Sequence, residues 1–352
     1  MKQYLFLFGC MLTGSAAQAQ TDTVRASTLP PAQLAEKYYN SGVAKFNDKS
    51  YNAALQDFDR ALAAKPDFAR AYYNRAATRY ELKQYAPAVQ DYNEAIRLDP
   101  STFTAWYGRA QARQAQGQAA EAEQDYGKVT ELKPDYAAAW YDRGALRFEK
   151  GDYQAALQDF TQATKVDAKY AYAWHDRASA ERQLGQPEAA VRDYTEALRL
   201  NPDLHVALLN RAAAKRRLKD YKGALEDYSD YLRRRSDDPV GYLGRAGARY
   251  EAGEYQAAVD DLTQALKLRP DYALALNNRA AAYQQLKNYK AAEADASAAI
   301  NQNPQYAEAY LNRGHAREML RNVPGACADW RKAAELGITA GTAYAANSGC
   351  EQ

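Results

Sequence analysis

Apolar and small residues along this chain return in steps of three and four, stop, and then resume. Between Ala69 and Thr102 the sequence reads ARAYYNRAATRYELKQYAPAVQDYNEAIRLDPST. Tyr72, Ala76 and Arg79–Tyr80 make one run; Ala88, Tyr92 and Ala95 make a second. Steps of three and four gather residues on one side of a 3.6-residue turn, which predicts two amphipathic helices and not strands. Lys83–Ala86 interrupts the pattern and predicts a short turn. Pro100 closes the second helix, because it has no N–H to donate and its ring clashes with the preceding turn. The segment therefore predicts two antiparallel helices.

The same segment recurs. Pro66, Pro100, Pro134, Pro202, Pro270 and Pro304 are separated by 34 residues or twice 34, and Ala168 and Ser236 fill the two missing slots without breaking register. A fixed period of this length is one supersecondary unit repeated. Gly42, Ala76, Ala110, Gly144, Ala178, Ala212, Ala246, Ala280 and Gly314 form a column of the smallest residues. Ala54, Ala88, Ala122, Ala156, Ala190, Ala224, Ala258, Ala292 and Ala326 form another. Helix axes closing to about 8–9 Å leave no room for more at the crossing. Aromatic residues flank it: Tyr38, Tyr72, Trp106, Trp140, Trp174 and Tyr242 on first helices, and Phe58, Tyr92, Tyr126, Phe160, Tyr194, Tyr228 and Trp330 on second helices. A further small residue (Ala61, Ala95, Ala163, Ala197, Ala265, Ala299, Ala333) precedes the proline.

This combination of columns resembles the tetratricopeptide repeat family. Nine units are read: 35–68, 69–102, 103–136, 137–170, 171–204, 205–238, 239–272, 273–306 and 307–340. The resemblance implies an all-α fold, a right-handed superhelix or solenoid whose concave inner surface is made mainly by the first helices. It also implies a protein or an extended peptide as the partner. Each unit of such an array touches only its neighbours, so the repeats form one continuous stack and not a globule.

Composition adds limits. With 47% apolar and 26% charged residues and a net charge of +2, the chain suits a soluble folded protein and offers no broad attraction to nucleic acid. The amino end differs from the rest. Met1-Lys2-Gln3 is a short positive start, and Tyr4–Leu12 is an apolar run too short to span a bilayer as a helix. Ala17-Gln18-Ala19 has the small-x-small form of a cleavage site. Residues 1–19 are therefore expected to be a signal peptide, and 20–34 a flexible lead-in. The expected location is the periplasm or cell envelope of a bacterium. Leu7-Phe8-Gly9-Cys10 loosely resembles a lipoprotein box, a weaker reading because Phe8 fits it poorly. After cleavage two cysteines remain, Cys327 and Cys350, and an even number in an exported chain predicts a disulfide that clamps the tail, 341–352, onto the last unit.

Two further columns carry charge. Asp57, Asp91 and their equivalents recur in all nine units, while Arg75, Arg109 and theirs recur in eight, with Ser41 in the first unit. Because the arginine is missing only where no unit precedes, the predicted pairs run between units, Asp57–Arg75 and Asp91–Arg109. By resemblance to the family, the residues after the first aromatic face the groove. These include Tyr39, Tyr73, Tyr107, Tyr141 and His175, with Asn40, Asn74, Asp142, Asp176, Asn210, Asn278 and Asn312 beside them. Asparagine offers both donor and acceptor to a peptide backbone, and tyrosine adds apolar area with a polar tip. The family's carboxylate clamp needs lysine and arginine where Tyr39, Tyr73 and Asp142 stand, so it is not expected. Arg182, Arg216 and Arg217 form a candidate patch for an anionic ligand. Ser236–Pro239, Gly241 and Gly244 predict a loosened joint between units six and seven.

Catalytic chemistry is thin. His175, His205 and His315 fall in three different units, and no H-E-x-x-H, Gly-Lys-Ser or G-x-S-x-G pattern occurs. No enzyme activity, cofactor or metal is expected. Two function classes remain: a non-catalytic scaffold that binds a protein or peptide, and a structural module that assembles with copies of itself as a homo-oligomer.

Overall fold

The computed structural model describes residues 29–348 and 350, which form nineteen α-helices with no strand among them. The expected leader, Cys10 within it and most of the lead-in lie outside the described residues. The chain divides into two compact units, one ending at Gln116 and one beginning at Gly117. The first holds α1 (Pro31–Asn47), α2 (Tyr51–Ala64), α3 (Ala69–Glu81), α4 (Tyr85–Leu98) and α5 (Phe103–Ala115). The second holds α6 (Ala119–Leu132), α7 (Ala137–Glu149), α8 (Tyr153–Val166), α9 (Ala171–Gln183), α10 (Pro187–Leu200), α11 (His205–Arg217) and α12 (Tyr221–Arg234). It continues with α13 (Pro239–Glu251), α14 (Tyr255–Leu268), α15 (Ala273–Gln285), α16 (Tyr289–Gln302), α17 (Ala307–Met319), α18 (Val323–Glu335) and α19 (Ala340–Asn347). Within each unit every helix packs on the next in sequence, and neighbouring first helices also touch (α1 with α3, α9 with α11, α11 with α13). Helix α1 starts ahead of Ala35, because Pro31 suits the first helical position, where its missing N–H would have no partner anyway.

The small columns sit at the crossings. A Cβ on Gly42 would lie 2.7 Å from the Phe58 ring, one on Gly144 2.9 Å from Phe160, and one on Gly314 2.5 Å from Trp330. Phe58, Phe160 and Trp330 are in turn fully buried. Three of the aromatics that open first helices also fasten the preceding turn. The indoles of Trp106, Trp140 and Trp174 donate to the carbonyls of Pro100, Pro134 and Ala168 at 2.9–3.0 Å. The turn inside each repeat uses one left-handed residue at the same register: Lys49, Lys83, Gly117, Gly151, Gly185, Lys219, Gly253, Lys287 and Arg321. This is the αL residue that ends a helix and satisfies its last carbonyls.

The joint after repeat six is filled, not loosened. Tyr231, which stands where other repeats have a small residue, is buried, and its hydroxyl donates to Asp238. Asp238 also caps α13 by accepting from the Val240 N–H at 2.9 Å. Gly241 makes the room: a Cβ there would meet Leu232 at 2.8 Å and the Tyr231 ring at 2.9 Å. Gly241→Ala is therefore expected to cost about 1–3 kcal/mol by overpacking, read as a lower urea midpoint, with Tyr231→Ala in the same chain restoring part of it.

At the carboxyl end the expected tail contains α19, which lies over Trp330. Tyr344 packs on the indole at 5.8 Å, and the backbone of Gly341 comes so close that a Cβ would stand 2.3 Å from the Trp330 carbonyl. Cys327 and Cys350 have Cα atoms 5.6 Å apart, a separation a disulfide can span.

Candidate functional site

The acidic column is the best-buried polar feature of the chain, and its pairing corrects the expectation. Arg75 donates through Nε and Nη2 to Asp91 of its own repeat, at 2.9 and 2.6 Å. The same two-toothed contact joins Arg143 to Asp159, Arg211 to Asp227, Arg245 to Asp261, Arg279 to Asp295 and Arg313 to Asp329. Neither Asp57–Arg75 nor Asp91–Arg109 is the pair that forms. The reason is geometric: the middle of each first helix faces the middle of its own antiparallel second helix, so the two side chains meet within the repeat. The link between repeats is made by the third nitrogen. Nη1 of Arg75 reaches back to Asp59 at 2.7 Å, that of Arg109 to Asn93 at 2.7 Å, and those of Arg211, Arg245 and Arg279 to Thr195, Ser229 and Thr263 at 3.0–3.1 Å. In the first repeat no described helix precedes, and Ser41 with Lys45 serves Asp57 instead.

A second basic column, absent from the expectations, completes these clasps. Arg79, Arg147, Lys215, Arg249 and Arg317 each bind the same aspartate one turn further along, at 2.7–2.9 Å. Its signal in the sequence is lysine or arginine every 34 residues. Arg147 and Arg317 also reach Glu123 and Glu293 of the preceding repeat, at 2.7 and 2.8 Å. In repeat five this position holds Glu181, which is only 9% exposed and whose Oε2 has no hydrogen-bond partner. Burial first, and then the neighbouring Asp193, push its carboxyl up to about 7, against the pull of Arg177 and Arg192.

The residues expected to face a ligand are mostly spent on holding first helices together. Asn74 donates to the Tyr39 hydroxyl at 2.9 Å, Tyr141 donates to Asp176 at 2.8 Å, and Asn312 donates to Asn277 at 2.8 Å. His175 completes a chain, with Nδ1 at 2.8 Å from Asp176 and Nε2 at 3.2 Å from Asn210. Donation from Nδ1 to the carboxylate leaves Nε2 free to accept from the Asn210 amide. The tyrosine rings are packed rather than offered: Tyr39 lies 5.0 Å from Phe68, Tyr73 5.9 Å from Tyr92, and Tyr141 4.8 Å from Tyr170. Burial pushes the Tyr39, Tyr73 and Tyr141 hydroxyls above the ordinary phenol range. Tyr107 and Asp142 are half-buried on α5 and α7, Asn278 is half-buried on α15, and Asn40 is exposed on α1.

What the first helices do present is a row that sequence pattern does not single out. Tyr172, Val206, Val240 and Leu274 are the second residues of α9, α11, α13 and α15, and they are 49%, 43%, 39% and 43% exposed. The equivalent positions elsewhere hold Glu36, Arg70, Thr104, Ala138 and Glu308, so the apolar row is confined to four consecutive repeats. The three arginines of the candidate patch lie at the far ends of α9 and α11. The buried Nε of Arg182 has no acceptor, and Arg216 Nε lies 3.4 Å from Glu251. Arg217 is exposed, with Nη1 at 3.5 Å from the Arg182 carbonyl. Among the described residues no group of acidic, histidine or cysteine side chains could hold a metal ion, and no helix is long and apolar enough to cross a membrane.

Family models described as tetratricopeptide repeat match residues 69–102, 107–173, 171–204 and 273–306, and one described as TPR repeat matches 246–287. No curated protein matches the chain. A tetratricopeptide repeat protein from Parabacteroides merdae is 22% identical over 67% of this chain and 94% of its own, with a TM-score of 0.55. The carboxyl-terminal part of a TPR repeat-containing protein from Cytophaga hutchinsonii is 17% identical over 78% and 98%, with a TM-score of 0.51. A chain of the APC/C hetero-tetramer Cut9–Hcn1 is 14% identical over 87% and 74%, with a TM-score of 0.52. At these identities the likeness is one of fold.

Proposed function

The chain belongs to the tetratricopeptide repeat family, whose members are generally non-catalytic and bind proteins or peptides, and from that premise we propose that it is a protein-binding scaffold of the bacterial cell envelope. One observation carries the reading: Tyr172, Val206, Val240 and Leu274 keep apolar side chains in solvent at one register of four successive first helices. Apolar side chains left uncovered at one register cost free energy, and a docked partner would cover them. Val206→Asp with Val240→Asp is expected to abolish capture of envelope proteins and to move the melting temperature by less than about 2 °C, since both side chains are partly in water and stand in the first turn of a helix, where a carboxylate is favoured. Unchanged capture would overturn the scaffold reading. Loss of a concentration-dependent dimer, with no partner captured by wild type, would favour self-assembly instead.

Two features support export. Residues 1–19 have the form of a leader, with Ala17-Gln18-Ala19 before the cut. Cys327 and Cys350 are placed to close a loop of 23 residues that ties α19 to α18, a bridge suited to an oxidising compartment. In the chain-entropy account such a loop is worth about 3 kcal/mol. Alkylation of the mature, unreduced protein is expected to label no thiol, and two labelled thiols would remove this support.

A further inference from the structure

We infer that repeat five holds a receptor for one cation from outside the chain, a primary ammonium or a guanidinium, seated between Asp193 and Glu181. The other repeats show what this register is shaped for. In repeats two, four, six, seven and nine the aspartate binds a second base through Oδ2, at 2.7–2.9 Å. Arg79, Lys215 and Arg249 also donate to the carbonyl four residues before that aspartate, those of Pro87, Gly223 and Ala257, at 3.0–3.3 Å. Lys215 does this with an ammonium, so the seat needs positive charge and N–H donors but no planar fork. Arg147 and Arg317 sit between two carboxylates, their own aspartate and an acid of the preceding repeat, Glu123 or Glu293.

Repeat five keeps the seat and changes the side chain beside it. Arg177 donates to Asp193 through Nε and Nη2, as its equivalents do elsewhere. The preceding repeat offers Leu157 where Glu123 and Glu293 stand, and Glu181 brings the second carboxylate itself. Glu181 lies beside Asp193, is 9% exposed, and its Oε2 has no hydrogen-bond partner among the described residues. A buried carboxylate oxygen without a donor costs more than a neutral group in the same place. Arg192 acts on Glu181 through its charge, from an exposed position on α10. Two carboxylates against one bonded guanidinium leave a negative charge that a single external cation balances.

Access and donor count select the class of ligand. The second bases of the other repeats are 18–24% exposed, while the aspartates they bind are only 2–6% exposed. A cation head at this register therefore stands against water even where its acceptors do not, and a group arriving from solution can follow the same line. Asp193 Oδ2, Glu181 Oε2 and the Ala189 carbonyl are acceptors that suit the three N–H donors of an ammonium. A hard metal ion asks for about six oxygens or more. A quaternary ammonium brings charge but no donor.

The test uses the mature chain at pH 8, carbon-13 labelled at the glutamate carboxyls, and nuclear magnetic resonance. The Glu181 signal is the one lost in Glu181→Gln. Butylammonium is expected to move it with a half-saturation about tenfold or more below that of tetramethylammonium, which cannot donate a hydrogen bond. At 10 mM, butylammonium is also expected to raise the melting temperature by about 2 °C or more over tetramethylammonium. Glu181→Arg, which carries its own guanidinium at this register, is expected to lose that rise. Acetyl-Ala-Lys-Ala-amide separates the sources: binding as tight as butylammonium or tighter assigns the seat to a basic side chain of a partner protein, and weaker binding assigns it to a free amine. A Glu181 signal that neither butylammonium nor the lysine peptide moves, an equal response to the two ammonium ions, or a rise retained in Glu181→Arg would each overturn the inference. None of these outcomes bears on the scaffold reading, which is tested by capture through the apolar row.

Discussion

Asp159→Ala is expected to be the most damaging single substitution in the array, lowering stability by about 3–5 kcal/mol. Asp159 is 1% exposed and holds Arg143 through two hydrogen bonds, at 2.9 and 2.7 Å, and Arg147 through a third at 2.9 Å. Removing it leaves the largely buried Arg143 guanidinium without its carboxylate and Arg147 with Glu123 alone. The cost is that of stranded charge and does not measure the net worth of the clasp, because replacing a whole buried ion pair by apolar side chains is often neutral. Asp295→Ala is the internal comparison. Asp295 is bonded by Arg279, and the second basic position holds Tyr283. With no second guanidinium on that carboxylate, its loss is expected to be smaller. Urea unfolding followed by circular dichroism measures both, with hydrogen exchange in α7 and α8 to show whether the damage stays near the site, since repeat arrays need not unfold as one unit. A loss below about 1 kcal/mol for Asp159→Ala would contradict the account of the clasp.

The second expected result concerns Glu181, where the array departs from its own rule. The folded-state pKa, about 7, lies above the ordinary glutamate value of 4.5. The folded protein therefore holds a proton that the unfolded chain has given up between those two pH values. Stability from this group is greatest below about pH 4.5, declines as pH rises toward 7, and is flat above it. A shift of this size corresponds to roughly 3 kcal/mol. Glu181→Gln, which imitates the protonated form, is expected to erase that decline. Glu181→Arg is expected to do more: it would supply Asp193 with the second donor that Arg147 gives Asp159, so its advantage over wild type should be largest at pH 8. Urea midpoints of the three proteins at pH 5 and pH 8 test this, and the difference from wild type cancels the other titrating groups. A pH dependence in Glu181→Gln equal to that of wild type would remove the carboxyl pair from the explanation.

Glu181 also shows how much is legible in the sequence. It breaks a column of lysine and arginine with a period of 34, a column that the family pattern gives no reason to seek. The apolar row is hidden for a related reason. Val206 and Leu274 read as ordinary members of an apolar helix face, and only their exposure sets them apart. The tyrosine column, by resemblance, is a ligand surface. Its hydroxyls and rings instead bind the neighbouring helix, as in Tyr39 with Asn74 and Tyr141 with Asp176.

Period, helix type, the tight crossings and the position of every turn were determined by the sequence alone. These are local matters: steps of three and four, the absence of a side chain at Gly42 or the single methyl at Ala54, and a proline that cannot continue a helix act within one repeat or at its edge. The partners of Arg75 were not of that kind. Asp57 and Asp91 lie 18 residues before it and 16 after it, and composition treats them alike. Only the packing of two antiparallel helices chose between them, because a guanidinium with three nitrogens can bond forward with two and backward with the third once both neighbours are in place.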